Sequence, residues 1–452
     1  MKCPRFSLPR HLGGVLLLTL CSINVLAAAT AEQVARLGKD LTPVGAERAG
    51  NKDGTIPAWT GGLTKAPAGF DPNKGHLDPF AADKPLITIS AANAEQYKDK
   101  LAPGQLAMLK RYPSYKMLVY PTRRSAGYPD EIYANIAREA RTAEMSNGGD
   151  TVTGVRKSSV PFPVPVAGQE AVLNHLYRST GGSVQREIVE FPVNTDGSFT
   201  PVRRMETYVD LTALVDPPEN LRFVFRTIFT SPSNIAGQAI LVFDGLDQVK
   251  QDRNAWVYNP GSRRVLRAPS IAYDSPRDGV DGLSTIDDYD GFNGRFDRYD
   301  FKLVGKREMF VSYNNYRLVD KSLKYKDIVK QGTLNQDLVR YELHRVWVVE
   351  ATLKPGKSHV YAKRLLYIDE DSWQIAHYDA YDGRGELWRV FEGHAIQFYD
   401  APTQYYAGTA QYDLQARRYV ASALTNEEKP YRFRVPYKLS DYTADALRRM
   451  GN

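Results

Sequence analysis

The stretch YELHRVWVVEATLKPGKSHVYAKRLLYIDEDSWQIAHYDAYDGRGELWRVFEGHAIQF, residues 341–398, decides the fold. Runs rich in Val, Leu, Ile, Tyr and Trp alternate in it with short turns rich in Gly, Asp and Pro, which predicts consecutive β-strands. Because a short turn joins strands that run in opposite directions, these strands form an antiparallel meander. The predicted strands are 341–353, 359–368, 373–381 and 386–398.

Neither face of this meander is plainly polar. In its third strand Trp373 and Ile375 alternate with Ala376 and Tyr378, so both faces carry apolar or aromatic side chains. An antiparallel sheet with one face in water alternates more cleanly than this. Either helices cover one face while the other meets a second layer, or one face curves around an apolar cavity.

Further strands are predicted before the meander. Alternating residues over 183–191 and 199–211 flank the tight-turn sequence Asn194-Thr195-Asp196-Gly197, which predicts a hairpin. Buried-type strands follow at 221–229 and 239–243, and a second hairpin joins 256–258 to 263–268 through Asn259-Pro260-Gly261-Ser262.

The chain before residue 180 has a different character. Thr30 to Gln33 resembles a capping box and predicts a short helix, and residues 45–85, rich in Gly, Pro, Asp and Asn, predict an extended arm on the body of the protein. Helical periodicity returns at 91–101, 104–111, 130–145 and 167–177.

The fold class predicted from these patterns is mainly β (α+β), a large curved antiparallel sheet with helices packed against it and a long N-terminal arm. The predicted segments are a signal peptide (1–29), an N-terminal helix and arm (30–85), a mainly helical part (86–180), an antiparallel sheet (181–400), which the family resemblance given below implies is a half-barrel, and a C-terminal tail packed on the body (401–452). Residues 180–452 are predicted to form one domain.

The first 29 residues have the three-part build of a secretory signal. Basic residues precede an apolar stretch that ends in Ala27, Ala28 and Ala29, so we expect export to the periplasm. A lipid anchor through Cys21 is the less favoured alternative, because Leu20 stands where a small residue is expected. No later stretch is apolar for long enough to predict a membrane-spanning helix.

Composition excludes several classes of protein. Both cysteines, Cys3 and Cys21, belong to the leader, which excludes a disulfide scaffold, a thiolate metal site and a Cys nucleophile in the mature chain. The chain has 59 basic and 52 acidic residues, and losing Lys2, Arg5 and Arg10 with the leader reduces the net charge from +7 to +4. No basic stripe accompanies this small excess, so no nucleic-acid partner is predicted.

Standard catalytic and phosphate-binding motifs are absent from the sequence, and we predict no catalytic residues, metal or cofactor. Four histidines on separate strands of the meander, His344, His359, His377 and His394, are a weakly supported alternative as converging metal ligands.

Two acidic segments are predicted to be polar loops. The Asp-rich loop 287–300 fails the calcium-loop register because Ile286 occupies the first ligand position. The carboxylates Asp369, Glu370 and Asp371 are expected to lie exposed in a turn, which makes them poor catalytic candidates.

Aromatic and arginine side chains on strands are the remaining candidates for ligand binding. As a group they suit an apolar pocket with an arginine at its mouth, and Arg264 and Arg364 are the candidates for contact with a ligand's head group. The predicted ligand-binding residues are Trp256, Tyr258, Arg264, Trp347, Arg364, Tyr367, Trp373, Trp388 and Arg389.

Three long motifs resemble a known bacterial family. The segments LGKDLTPVGAERAGNKDGTIPAWTGGL (37–63), DDYDGFNGRFDRYDFKLVGKREM (287–309) and AKRLLYIDEDSWQIAHYDAYDGRGELWR (362–389) resemble the domain-of-unknown-function family DUF1329. That family is similar to the outer-membrane lipoprotein-sorting (LolA/LolB-like) proteins, which implies an incomplete β-barrel over an apolar cavity. The hairpin WVYNPGSRRVLRAP (256–269) and the meander are the parts that look like that fold.

The resemblance implies a periplasmic binding or carrier protein for a lipid or other hydrophobic molecule. It also implies an accessory role in envelope transport with an outer-membrane protein and an RND-type exporter. Two alternatives remain open at this stage: a periplasmic hydrolase of lipid or glycan, using His377, His394 and an Asp, and an outer-membrane-associated scaffold without a small ligand.

Overall fold

The computed structural model describes residues 29–268 and 273–450. All but Ala29 of the predicted leader, including Cys21, lies outside the described residues. The α-helices of the described part are Ala31–Arg36 (α1), Pro103–Arg111 (α2), Asp130–Glu139 (α3), Gly168–Tyr177 (α4), Tyr325–Ile328 (α5) and Ala444–Met450 (α6).

Strands make up most of the regular structure. Those before residue 260 are Ile87–Ile89 (β1), Met117–Val119 (β2), Glu144–Ser146 (β3), Thr151–Thr153 (β4), Ser183–Val193 (β5), Val202–Val209 (β6), Phe223–Ser231 (β7), Ala239–Asp244 (β8) and Asn254–Asn259 (β9). The later ones are Arg264–Ala268 (β10), Tyr299–Ser312 (β11), Tyr341–Leu353 (β12), Lys363–Asp369 (β13), Ile375–Tyr381 (β14), Leu387–Phe398 (β15), Thr403–Asp413 (β16), Arg418–Leu424 (β17) and Arg432–Phe433 (β18).

One 16-stranded sheet organises the molecule. From β11 the strands follow in the order β12-β13-β14-β15-β16-β17, then β17 pairs with β5, and the order continues β6-β7-β8-β9-β10. These neighbours are antiparallel, and β10 and β11 stand at opposite edges, so the sheet is open. The predicted fold class, mainly β with a large antiparallel half-barrel, is confirmed.

Two parts of the sheet were not predicted. The long strand β11 follows the Asp-rich loop directly and pairs along the whole of β12. The sheet also continues past residue 400, where we expected a tail, because β16 and β17 pair with β15 and β5. These two strands connect the predicted meander to the predicted N-terminal hairpin.

The helical expectations before residue 180 were partly met. Helices α2 and α4 lie where the periodicity placed them, and Ala94–Lys100 is a 3-10 helix within the predicted 91–101. The helix predicted over 130–145 ends at Glu139, whose carboxylate accepts hydrogen bonds from the backbone of residues 156–158. The chain then turns into the small sheet of β3 and β4.

The predicted arm lies on the body of the protein. Ile56 is 1% exposed within the core, and the indole Nε1 of Trp59 donates a hydrogen bond to Ala126 O over 3.0 Å. The ring of Trp59 also meets Tyr133 edge to face. Among the described helices, none has the length and apolar character that crossing a bilayer requires.

Candidate functional site

Strands β5 to β9 carry the candidate site on one face. Their register places Val184, Tyr208, Phe225, Val242 and Ala255 side by side in one row across the five strands. Because cross-strand partners point to the same side of a sheet, these side chains share one face.

A second row lies two residues further along each strand. It contains Arg186, Glu206, Thr227, Ile240 and Val257, again as direct cross-strand partners. The second row therefore changes from charged on β5 and β6 to apolar on β8 and β9, whereas the first row is apolar or aromatic throughout.

These rows line a cavity of about 480 Å³. Its apolar wall is formed by Phe225, Ile240, Val242 and Val257, which are only partly buried because they face this space. Apolar side chains that stay partly exposed inside a concave site are the usual lining of a site for an apolar ligand.

The β5–β6 end of the cavity is built from charges. Arg186 donates to Glu206 over 2.7 Å, and Arg277 donates to Glu190 over 2.6 Å. Arg204 lies between the two carboxylates, with its Nε 3.0 Å from Glu206 and its Nη1 3.4 Å from Glu190.

The three guanidinium groups of this arginine cluster (Arg186, Arg204 and Arg277) carry positive charge, because arginine is not deprotonated in proteins. Burial opposes the charged form, but Glu190 and Glu206 hold the pKa of Arg204 above its ordinary value. Burial likewise opposes ionisation of Glu190, while Arg204 and Arg277 lower its pKa. The cluster therefore holds three positive charges against two negative ones.

A second charged group is centred on Asp244, two residues beyond Val242 on β8. Asp244, at the end of β8, accepts hydrogen bonds from Arg222 over 3.0 Å and from Arg253 over 2.8 Å. Both arginines make further hydrogen bonds within the protein: Nη1 of Arg222 donates to Leu176 O, and Nη2 of Arg253 donates to Asn293.

The Asp-rich loop forms the opposite wall of the cavity. Tyr289 and Asn293 of the loop line it from this side, together with Tyr273, Arg277 and Ile286 from the segment that precedes the loop. The hydroxyl of Tyr289 accepts a hydrogen bond from Arg186 over 2.8 Å and donates to Glu206. The loop is thus part of the site rather than a solvated connection.

Two aspartates fasten this loop to the sheet. Asp287 accepts hydrogen bonds from Arg364 on β13, and Asp288 accepts them from the hydroxyls of Tyr361 and Tyr378. Burial opposes their ionisation, but the charge of Arg364 lowers the pKa of both carboxylates. The predicted polar loop therefore has a structural role that the sequence did not indicate, because Asp287 and Asp288 are buried, at 1% and 4% exposed.

Comparison with known proteins places the chain in a family. The family model described as a protein of unknown function (DUF1329) matches residues 88–448. The chain belongs to the DUF1329 family. An uncharacterized protein of Pseudomonas aeruginosa is 49% identical to it over 444 residues, which cover 97% of each chain.

Solved structures similar to this DUF1329 chain have low sequence identity and limited overlap. A domain provisionally described as an outer membrane lipoprotein-sorting protein from Vibrio parahaemolyticus has 16% identity and a TM-score of 0.44, covering 62% of this chain and 97% of that one. A DUF1329 protein from Desulfovibrio piger has 15% identity and the same TM-score of 0.44, with coverage of 62% and 97%. A LolA superfamily protein from Nitrosomonas europaea has 15% identity and a TM-score of 0.38, with coverage of 62% and 99%.

None of the nine predicted ligand-binding residues lines the cavity in the described part of this DUF1329 chain. Trp256 and Tyr258 alternate with the cavity residues Ala255 and Val257 on β9, so they point to the opposite face and pack in the main apolar core. Arg264 is exposed on the edge strand β10.

The other predicted residues belong to the β12–β15 half of the sheet. Trp347 stacks on Trp373 with ring centroids 6.2 Å apart, and Trp388 packs under the guanidinium of Arg389, which also donates to Tyr361. Tyr367 is 1% exposed and lies in a small core cluster. Arg364 is fully buried against Asp287, which contradicts its expected place at a cavity mouth.

The four strand histidines have separate partners. His344 contacts Glu342, His359 contacts Asp287, His377 contacts Asp379 and His394 contacts Ser312. They do not converge on one another as metal ligands, and none of them lines the cavity.

The turn carboxylates are buried, which contradicts the expectation that they are wet. Asp369, Glu370 and Asp371 are 1%, 2% and 3% exposed. His344, Asp369 and Asp371 have the spacing of a possible metal group, but Arg124 donates to both oxygens of Asp371 over 2.8 and 2.6 Å. A guanidinium thus already supplies the positive charge there.

Sequence reasoning missed the residues that do line the cavity. Seven arginines line it: two come from strands (Arg186 and Arg204), two from the Asp-rich loop (Arg295 and Arg298) and three from other connecting segments (Arg222, Arg253 and Arg277). The sequence feature that could have identified them is the alternation in β7 and β8, which places Phe225, Thr227, Ile240 and Val242 on one face of the sheet. The sequence did not show that this face remained uncovered.

Proposed function

We propose that this DUF1329 protein is a noncatalytic binding protein that holds a hydrophobic or amphiphilic molecule in the cavity of β5–β9. The observation that supports this most is the wall of partly exposed apolar side chains, Phe225, Ile240, Val242 and Val257, inside a concave site. In the proposed setting the protein acts in the periplasm as a carrier that serves transport of its ligand in the cell envelope.

Burial of hydrocarbon supplies the binding energy in this proposal. Each CH₂ group moved from water to an apolar surface contributes about 0.8 kcal/mol, so a chain of several such groups binds without forming any covalent bond. The cavity volume of about 480 Å³ falls within the range of small-molecule sites, roughly 300–1,000 Å³.

The hydrolase alternative has less support. General acid–base chemistry needs titratable groups with access to a substrate. His377 and His394 are fully buried and contact different partners outside the cavity, and burial lowers the pKa of His394 to about 3, which keeps its imidazole neutral.

Native mass spectrometry and solvent extraction of the purified protein test the proposal. We expect a co-purifying hydrophobic molecule, or binding of the uncharged probe N-phenylnaphthylamine to protein stripped of ligand. Absence of both overturns the proposal. An expected partner, an outer-membrane protein with an RND-type exporter, is tested separately by crosslinking in intact cells.

A further inference from the structure

We propose that the arginine cluster of the cavity, Arg186, Arg204 and Arg277, binds the anionic head group of an amphiphilic ligand. This inference rests on the proposed function and names the class of ligand: a hydrocarbon chain that ends in a phosphate or carboxylate. The chain lies against β7 to β9, and the head group lies against β5 and β6.

The first argument is the excess of positive charge. Three guanidinium groups, which stay protonated, have only two carboxylate partners in this cluster, Glu190 and Glu206. The nearby acids are engaged elsewhere: Asp290 pairs with Arg178, and Asp278 lies in an exposed contact with Gln238. A buried uncompensated charge is costly, and an anionic ligand group removes that cost.

The second argument is the presence of unused donors. The Nε atom of Arg277 is buried and has no hydrogen-bond partner in the described part of the chain, and the same is true of Oε2 of Glu190. The Nε of Arg204 also lacks a hydrogen bond but lies 3.0 Å from Glu206, and the side chain of Arg204 is 5% exposed. Buried polar groups in folded proteins are normally satisfied, so the Nε of Arg277 is the donor of this cluster that an acceptor on the ligand would satisfy.

Aromatic rings hold the cluster in place. The guanidinium carbon of Arg186 lies 5.0 Å from the centre of the Tyr405 ring, and those of Arg204 and Arg277 lie 5.8 and 5.9 Å from the Tyr289 ring. Such contacts fix guanidinium groups before a ligand arrives, which lowers the entropy cost of binding.

The register sets the distance between the two ends of the ligand. Arg186 on β5 and Ile240 on β8 belong to the same row and are separated by β6 and β7. At about 4.8 Å per strand, their backbones lie about 14 Å apart. An amphiphile with its head group at Arg186 therefore reaches the apolar wall with its chain.

Three amphiphiles of equal chain length test the proposal: hexadecyl phosphate, hexadecanoate and hexadecanol. Each competes with N-phenylnaphthylamine for the wild-type protein at low and high salt. Because hydrogen bonds to charged groups are the strong ones, we expect one or both anions to bind roughly ten- to a hundredfold more tightly than the alcohol, with a preference that shrinks as salt rises. The stronger of the two anions identifies the phosphate or carboxylate source.

Variants then test whether the arginine cluster causes the preference for anionic amphiphiles. Arg204→Gln leaves two guanidinium groups for two carboxylates, so we expect loss of most of the anion preference with unchanged affinity for hexadecanol. Arg384→Gln, in an exposed turn where the side chain is 72% exposed, is the matched control and leaves both affinities unchanged.

The outcomes separate the two proposals. Equal binding of all three amphiphiles to wild type overturns the head-group assignment but leaves the carrier proposal standing. Failure of all three, and of the neutral probe, overturns the carrier proposal itself. The wild-type comparison does not depend on whether Arg204→Gln folds.

Discussion

Arg364 donates from Nη2 to both carboxylate oxygens of Asp287, each over 2.9 Å, in the interior of the protein. This contact joins strand β13 to the loop that forms one wall of the cavity. The loop residues Asp287 and Tyr289 are two positions apart, so the ion pair also positions the ring against which Arg204 and Arg277 pack.

Removing Arg364 is expected to destabilise the protein strongly. Arg364→Ala leaves Asp287 buried with only hydrogen-bond contacts to His359 and Thr285, and breaking a buried pair in this way costs about 3–5 kcal/mol in free energy of unfolding. Urea unfolding measures the loss. The double variant with Asp287→Asn recovers part of it, and an unchanged unfolding midpoint in Arg364→Ala contradicts the assigned role.

The buried carboxyl of Asp369 is expected to make stability depend on pH. Burial and the neighbouring Asp371 raise its pKa to about 6, against an ordinary value of 3.8 for an aspartate carboxyl. The folded state therefore binds this proton more tightly than the unfolded state, so the contribution is full below about pH 4 and is lost as pH rises to about 6. The loss is about 3 kcal/mol at most.

Asp369→Asn is expected to remove this part of the pH dependence. Relative to wild type, its free energy of unfolding rises more at pH 7 than at pH 4, because only the wild-type carboxyl must ionise in the core. Chemical unfolding at both pH values measures the difference. Asp53→Asn, in an exposed turn of the arm, is the control and follows wild type; an equal effect of Asp369→Asn at both pH values would refute the argument.

Filling the cavity is expected to block ligand binding. Val242→Trp places a large ring in the middle of the apolar wall, where the side chain is partly buried and free space lies in front of it. We expect binding of N-phenylnaphthylamine to weaken at least about tenfold, the loss that follows from displacing roughly two CH₂ groups of contact. Val304→Trp, at a position 56% exposed on β11, is the matched control, and equal loss in both variants speaks against this cavity as the site.

The arm is expected to unfold together with the body. Ile56→Ala deletes a side chain that is 1% exposed in the core, and such truncations cost about 2–5 kcal/mol. Urea unfolding and limited proteolysis measure the effect, with Lys52→Ala in the exposed part of the arm as control. If cleavage within 45–85 is rapid while the body of wild type stays folded, the arm is not part of the cooperative unit.

Local sequence patterns were sufficient for most strands. The predicted strand over 341–353 coincides with β12, and the Asn194–Gly197 turn joins β5 to the following strand as expected, with Gly197 N bonded to Asn194 O. Strand β11 was missed because the polar residues of the Asp-rich loop continue into it, as in Asp300, Lys302 and Lys306. Its pairing with β12 outweighs that weak local pattern.

The site could not be predicted in the same way. Residues on β9 alternate between the two faces of the sheet, so Trp256 and Tyr258 point away from Ala255 and Val257. The sequence favoured the two aromatic residues as ligand contacts, but they pack in the core, and Ala255 and Val257 line the cavity. Asp371 looks like a turn residue in sequence, yet it is buried in an ion pair with Arg124, which lies 247 positions away in the chain.

The sequence by itself determined most of the longer strands, the hairpins and the antiparallel pairing of consecutive strands, because alternation and turn residues act over a few neighbouring positions. The tertiary structure alone decided which face of β5–β9 stays uncovered, which arginines share Glu190 and Glu206, and that Asp287 reaches Arg364. Those outcomes depend on contacts between distant segments, and residue spacing along the chain does not encode their geometry.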